Sequence, residues 1–218
     1  MGLINSAEHA VFFDDFRDAV TSNAPAGGYT AIIDTGATIV ASNTLGTDHT
    51  GSIVIASDGA GEGASVYLPE RLQLLAGKRF WMEMRYRSVL PGETSVQMGL
   101  SSVTATTNPE DLWLTASADV LSFGTLLGVP SMLADLANAG TAVVTGDTTT
   151  FAASPTWHTL GMYFDGVRAF GYVNGKQKVT TATTIPVSVT LAPFFGALIG
   201  ATASNTITVD YFRYVQER

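Results

Sequence analysis

The chain has 218 residues, a length that suits one β-sandwich domain. Its 11 Lys and Arg residues against 19 Asp and Glu residues give a net charge of −8, and so acidic a chain repels a nucleic-acid backbone. The absence of cysteine excludes disulfides, thiolate metal sites and cysteine nucleophiles. The most apolar window, 194–201, is far shorter than the about 20 residues of a membrane helix, so no membrane contact is expected.

Short apolar runs separated by Gly, Asn, Asp and Pro predict an all-β, antiparallel two-sheet sandwich. In chain order the predicted strands are 29–34, 52–56, 65–68, 79–88, 95–101, 112–116, 120–123, 157–164, 167–173, 176–181 and 206–215. One short loop helix is predicted over 130–138, where three apolar side chains share a helical spacing. The expected organisation is an N-terminal arm, residues 1–11, followed by a single domain over 12–218.

Strand 79–88 alternates strictly between apolar and mixed positions. Its two predicted faces are Phe80, Met82, Met84 and Tyr86 on one side, and Trp81, Glu83, Arg85 and Arg87 on the other. Strand 206–215 is predicted to alternate in the same way, with Ile207, Val209 and Tyr211 opposite Thr208, Asp210 and Phe212.

Two turn dipeptides, Asp165-Gly166 and Asn174-Gly175, divide the segment 157–181 into three strands. A two-residue turn at Asp165-Gly166 places Phe164 opposite Val167. One face of this hairpin is then apolar, and the other carries Thr159, Tyr163, Arg168, Phe170 and Tyr172. Such an aromatic second face requires an explanation, because one face of a sandwich sheet normally meets solvent.

Five motifs follow one another in a characteristic order: FDDF at 13–16, KRFWMEMR at 78–85, WHTLGMYFDG at 157–166, GYVNGK at 171–176 and VDYFRYVQ at 209–216. This order resembles the concanavalin A-like (laminin G-like) jelly roll, and in particular a group of tailed-bacteriophage virion structural proteins with that fold. The resemblance covers roughly residues 12–218.

The resemblance implies a non-enzymatic structural protein of a bacteriophage particle. The expected role is a head decoration or cement protein, made in the host cytoplasm, that binds the outside of the capsid shell. Its partners would be the major capsid protein and copies of itself in a homo-oligomer. The uncharged stretch 180–206 is predicted to lie partly against another subunit, since such interfaces are depleted of charged residues.

The alternative is a carbohydrate-binding, lectin-like module, placed in a tail or receptor-binding fibre, whose aromatic side chains stack on a glycan. Both alternatives use the same surface, as a partner interface or as a sugar site. The predicted binding residues are Trp81, Glu83, Arg85, Trp157, Tyr163, Arg168, Phe170 and Tyr172.

Catalytic and metal sites are not expected. A glycosidase needs two carboxylates, whereas Glu83 stands alone among arginines and is expected in an ion pair with Arg85 or across strands. His158 is predicted to be a packed strand residue, and three scattered histidines do not indicate zinc. Calcium at the acidic clusters, Asp14-Asp15-Asp18 or Asp58 with Glu62, is an alternative to plain solvated turns. No cofactor is predicted, and the chain is expected to be no enzyme.

Overall fold

A computed structural model of the chain describes residues 4–5, 9–16, 29–41, 51–59, 61–69, 71–90, 92, 94–102, 119–126, 129–135, 141–146, 156–182, 185–200 and 205–218. These ranges contain sixteen strands and no helix. The strands are β1 (Ile4–Asn5), β2 (His9–Asp14), β3 (Thr30–Ile33), β4 (Ala37–Ala41), β5 (Ile53–Ser57), β6 (Gly63–Tyr67), β7 (Phe80–Ser88), β8 (Thr94–Ser101), β9 (Val120–Leu126), β10 (Val129–Asp135), β11 (Thr141–Thr145), β12 (His158–Phe164), β13 (Ala169–Val173), β14 (Lys176–Thr181), β15 (Ala192–Ile199) and β16 (Asn205–Glu217).

The strands form two antiparallel sheets, so the predicted all-β sandwich is confirmed. In the described residues the first sheet has nine strands in the order β1-β2-β16-β7-β12-β13-β14, with β5 beside β16 and β4 beside β5. The second sheet has seven, in the order β11-β10-β9-β8-β15-β6-β3. Side chains from both sheets fill one core, in which the rings of Phe195 and Phe212 lie 5.5 Å apart.

The predicted loop helix is wrong. Residues Val129–Asp135 form β10, which pairs with β9 and places Met132 opposite Phe123, and both side chains are fully buried. Tertiary pairing therefore overrides a weak helical spacing. The predicted strand at 112–116 lies outside the described residues.

The long strand β16 organises the first sheet. It runs beside β7, while β5 and β2 lie end to end along its other edge. A bulge between Val209 and Tyr211 shifts its register against β7. The predicted alternation is correct up to Val209 but wrong beyond it, because the extra residue sends Phe212 into the core and leaves Tyr211 half-buried on the outside.

The two turns on either side of β13 behave differently. Asn174-Gly175 is the predicted two-residue turn, with φ of 50° and 75°, and it pairs Val173 with Lys176. The first turn is displaced by one residue, because the Asp165 N–H donates to the Arg168 carbonyl at 3.0 Å. Phe164 therefore lies opposite Ala169 rather than Val167. A shift of two in the pairing keeps each side chain on its face, so the predicted apolar and aromatic faces are confirmed, except that Val167 is exposed in the turn.

The uncharged stretch 180–206 contains β15, which lies between β8 and β6 near the middle of the second sheet. Side chains on both faces of β15 are buried, including Phe194 and Phe195. Burial within the chain thus explains much of the missing charge. Contact of this stretch with another subunit stays a prediction.

The division into an arm and one domain also stays a prediction. Of the proposed arm, Ile4–Asn5 and the first residues of β2 belong to the first sheet, where β2 pairs with β1 and β16. Within the described ranges there is no helix long and apolar enough to cross a membrane.

Candidate functional site

The outward face of the first sheet carries most of the predicted binding residues. On β7 the apolar positions are fully buried, whereas the alternate positions, from Trp81 to Arg87, are half-buried. The neighbouring strands β12 and β13 alternate in phase with β7, so their outward side chains stand beside those of β7. We call the surface formed by the outward side chains of β7, β12, β13 and the second half of β16, together with Trp157, the outer face.

An aromatic cluster occupies the middle of the outer face. The Trp81 ring lies 5.5 Å from the Tyr172 ring and 6.3 Å from the Tyr163 ring, both tilted. Tyr163 in turn stacks on Phe170 at 6.0 Å. Gly161 gives Trp81 room to lie across β12, since a Cβ at this position would come within 2.7 Å of the indole edge. The sequence therefore places four aromatic rings side by side, each only partly covered.

The carboxylate of Glu83 lies beside this cluster, where β16 meets β7. Tyr211 donates its hydroxyl proton to Glu83 Oε1 at 2.5 Å, and Arg213 donates to the same oxygen at 2.7 Å. Burial, reinforced by the hydrogen bond to Glu83 and its charge, raises the pKa of Tyr211 to about 12. Tyr211 is thus a neutral donor, and the predicted cross-strand ion pair of Glu83 is confirmed, with Arg213 rather than Arg85 as its partner.

A second aromatic group lies at one end of the outer face, at the start of β12. The guanidinium carbons of Arg85 and Arg87 lie 4.8 Å and 5.1 Å from the centre of the Trp157 ring. Arg85 also donates to Asp210 Oδ2 at 3.0 Å, and Asp210 is the residue at the bulge of β16. This end of the outer face combines an indole, two guanidinium groups and one carboxylate.

Arg168 is not part of either group. It is exposed at the start of β13, and its N–H donates to Asp165 Oδ1 at 2.6 Å. The structure therefore brings together seven of the eight predicted residues in two adjoining groups and leaves Arg168 at the opposite end.

Four residues of the outer face were missed as binding candidates: Arg87, Asp210, Tyr211 and Arg213. The last three depend on the bulge, which turns Tyr211 and Arg213 to the outside. The sequence carries no local signal of this bulge, because adjacent residues such as Tyr211 and Phe212 point to opposite sides in any regular strand.

The outer face is shallow. Beside the cluster lies a cavity of about 270 Å³, lined by Arg79, Phe80, Trp81, Tyr163, Val215 and Glu217. This is smaller than the about 300–1,000 Å³ that encloses a small molecule. A larger cavity of about 480 Å³ beyond Glu217 has no aromatic side chain among the described residues that line it. The geometry therefore favours a ligand that lies across the rings.

The other candidate sites have less structural support as functional sites. His158 is buried beside the Tyr86 ring, and burial lowers its pKa, which agrees with the predicted packed residue. The carboxylates of Asp58 and Glu62 converge near Gly36, and Ser57 Oγ lies 3.1 Å from Glu62 Oε2. No group of three or more His, Asp or Glu side chains arranged to hold a metal occurs in the described part of the chain. Asp18 of the other acidic cluster lies outside it.

Comparison with known proteins identifies the fold. No protein-family model and no curated protein match the sequence. Solved structures do match: the carbohydrate recognition domain of Emp47p is 16% identical, with a TM-score of 0.60 over 90% of this chain and 92% of that one. Lectin I-B4 from Griffonia simplicifolia, in its metal-free form, is 11% identical, with a TM-score of 0.61 over 94% and 98%. The fold is the concanavalin A-like jelly roll.

An enzyme has this jelly roll as well. The endo-β-1,4-glucuronan lyase from the fungus Trichoderma reesei is 8% identical, with a TM-score of 0.62 over 93% of this chain and 94% of that one. The prediction that the chain is no enzyme, which rested on the lack of a second carboxylate beside Glu83, is therefore corrected, because an enzyme has the same fold.

Nothing in the comparisons indicates a protein of a phage particle. The decoration role, the capsid and self partners, and the place on a virion stay predictions from the sequence. The concanavalin A-like fold, in contrast, is shown by solved structures that match 90% and 94% of this chain.

Proposed function

We propose that this protein binds carbohydrate and that the outer face of the first sheet is its binding surface. The observation that carries the proposal is the aromatic cluster of Trp81, Tyr163, Phe170 and Tyr172, whose rings lie 5.5–6.3 Å apart and are only half-buried. Clusters of partly exposed aromatic side chains on a soluble protein mark interaction sites.

The chemistry of the cluster suits a sugar. Aromatic rings offer apolar faces to the C–H groups of a pyranose, while the Tyr hydroxyls supply polar contacts at the rim. Glu83 and Arg213 lie next to the rings and offer an acceptor and donors for sugar hydroxyls. The shallow cavity beside Trp81 fits an extended glycan lying across the strands better than an enclosed monosaccharide.

The comparisons support the same class of ligand. Two of the matching structures are named as a carbohydrate recognition domain and a lectin, and the third as a lyase of glucuronan. At 8–16% identity these names bear on the fold, and the argument for this chain rests on its own aromatic side chains.

Titration with soluble polysaccharides tests the proposal. Saturable binding, followed by calorimetry and by tryptophan emission, is expected for the unchanged protein. Trp81→Ala and Tyr172→Ala should each weaken binding at least ten-fold, which corresponds to about 1.4 kcal/mol. Thermal melting of both variants establishes that they are folded.

Leu126→Ala is the matched control. Leu126 is an exposed apolar side chain at the end of β9, in the second sheet, away from the outer face. Its replacement should leave the affinity within two-fold. Absence of saturable binding to any glycan, or equal losses in all three variants, would contradict the proposal.

A further inference from the structure

We infer that the glycan recognised on the outer face is acidic, and that Arg87 binds one of its carboxylates beside Trp157. This inference rests on the proposed function and names its ligand class. Its basis is the charged side chains around Trp157, which are not part of the aromatic cluster.

Arginine is concentrated on this side of the molecule. Of the eight arginines in a chain with a net charge of −8, five lie along the outward side of the first sheet: Arg79, Arg85, Arg87, Arg168 and Arg213. Three of them form ion pairs that neutralise their charge: Arg79 with Glu217, Arg85 with Asp210, and Arg213 with Glu83. The local excess of positive charge is therefore confined to the remaining two.

Arg87 is the better placed of these two. Its guanidinium lies over the Trp157 ring at 5.1 Å, and Arg85 approaches the same ring at 4.8 Å. Arg85 forms an ion pair with Asp210 at 3.0 Å, whereas no ion pair of Arg87 occurs among the described residues, so the two guanidinium groups over Trp157 are balanced by one carboxylate. Like charges held this close repel each other, and a bound anion would relieve that repulsion.

The form of the site also favours a carboxylate. The planar guanidinium can donate two parallel N–H···O hydrogen bonds to a carboxylate. Stacking on an indole holds the guanidinium in place without using those donors. Trp81 and Arg87 lie on the same side of β7, six residues or roughly 20 Å apart, so an oligosaccharide of several units that lies on the aromatic rings can extend to Arg87. Uronic acids are among the sugars whose ring carries such a carboxylate, and they are the class tested below.

Arg168 lies at the opposite end of β12 and β13. With about 3.3 Å per strand residue, the distance from Trp157 to the turn at Asp165 is roughly 25 Å. Arg168 is exposed there, but Asp165 lies next to it, and the hydrogen bond from the Arg168 N–H, together with the Arg168 charge, lowers the pKa of Asp165. Arg168 is therefore a weaker anion contact than Arg87.

A matched pair of ligands tests the inference. The probes are a galacturonate hexasaccharide and its fully methyl-esterified form, which has the same ring but no charge. We expect the unchanged protein to bind the acidic form at least ten-fold more tightly, with an affinity that falls as salt rises. Arg87→Gln should remove at least ten-fold of the affinity for the acidic form and alter binding of the ester by less than two-fold.

Two further variants complete the test. Arg87→Lys keeps the charge but not the paired donors and should show an intermediate loss. Arg71→Gln removes one positive charge from an exposed residue outside the first sheet, and it should leave both affinities within two-fold. Equal binding of the two ligands, or an unchanged affinity of Arg87→Gln for the acidic one, overturns the inference while the proposed function stands.

The ligand panel also separates the remaining outcomes. Binding of a sulfated oligosaccharide but not of a uronate overturns the carboxylate assignment. Failure of neutral, carboxylated and sulfated glycans alike refutes the proposed function and this inference together.

Discussion

The two sheets share one core but differ completely on the faces that they turn away from it. On the outer face of the first sheet, large side chains such as Trp81 and Tyr172 are half-buried and lie among paired charges. On the outward face of the second sheet, Tyr67 and Phe194 stack at 5.4 Å and are completely buried, with a floor of Ser and Gly. Among the strand residues of this second outward face whose side chains the structure describes, none is Asp, Glu, Lys or Arg.

The difference indicates which face is built to bind. On the outer face each charge near the rings has a role: Glu83 accepts from Tyr211 and Arg213, and Arg85 is held by Asp210. On the second sheet the Tyr67 hydroxyl is buried without a hydrogen-bond partner. One face keeps its polar groups oriented at the surface, whereas the other leaves two hydroxyls, those of Ser65 and Tyr67, unsatisfied inside.

Replacing one phenylalanine on each face gives the largest expected contrast. Phe194→Ala should lower the free energy of unfolding by about 3–5 kcal/mol, because it opens a cavity in a fully buried cluster. Phe170→Ala, on the half-buried outer face, should cost about 1 kcal/mol. Urea denaturation followed by intrinsic fluorescence measures both. Similar costs would show that the outer face is a packing surface as well.

Glycines provide the next contrast. A Cβ at Gly124, on the second sheet, would lie 2.0 Å from the Val96 carbonyl oxygen, and backbone cannot move aside easily. A Cβ at Gly161 meets only the edge of the Trp81 ring, which can tilt. Gly124→Ala should therefore cost about 3 kcal/mol and Gly161→Ala about 1 kcal/mol.

The functional effects of these two glycine variants should be reversed. Gly161→Ala should shift the tryptophan emission and weaken glycan binding, because it displaces the central ring of the aromatic cluster. Gly124→Ala should leave binding unchanged at temperatures where it remains folded. If Gly161→Ala bound glycan normally, Trp81 would not be the centre of the binding surface.

Removing one hydroxyl from each face should change stability in opposite directions. Tyr67→Phe removes an unpartnered buried hydroxyl and should stabilise the fold by up to about 1 kcal/mol. Tyr211→Phe removes the donor to Glu83 and should destabilise it by about 1 kcal/mol. Paired denaturation curves test the signs, and a loss in both variants would mean that the Tyr67 hydroxyl is satisfied in solution.

Much of this contrast follows from the sequence, because strand alternation is a local property. The strict pattern from Phe80 to Arg87 predicts both faces of β7, and it is confirmed. The hairpin register was wrong by two residues, yet the faces were correct, since an even shift conserves them. Strand β10 could not be predicted in this way, because its apolar residues also fit a helical spacing, and only the pairing of Met132 with Phe123 of β9 decides for a strand.

The binding surface was only partly predictable for a related reason. Residues on β7, β12 and β13 follow from regular alternation, so the aromatic cluster was expected. Asp210 and Arg213 required knowledge of the bulge in β16, a long-range feature that appears only when β16 pairs with β7. The ion pairs that distinguish Arg87 from Arg85 therefore come from the structure alone.

The smallest expected effect concerns pH and the first sheet. His158 lies beside the Tyr86 ring, with neutral partners in Thr156 and Asn174. Burial lowers its pKa below the ordinary 6.5, so between the two values the unfolded chain binds more protons than the folded one. Stability should accordingly be complete above about pH 6.5 and decline as the pH falls below it, by at most about 1.4 kcal/mol per unit.

His158→Asn isolates this contribution, because the two proteins differ only in the histidine. Their free energies of unfolding are measured by urea denaturation between pH 7.5 and 5.0. The variant should lose that part of the slope, whereas Tyr67→Phe, on the second sheet, should retain it. An identical slope in His158→Asn would mean that the histidine titrates in the folded chain as it does in the unfolded one, and that its burial beside Tyr86 is not retained in solution.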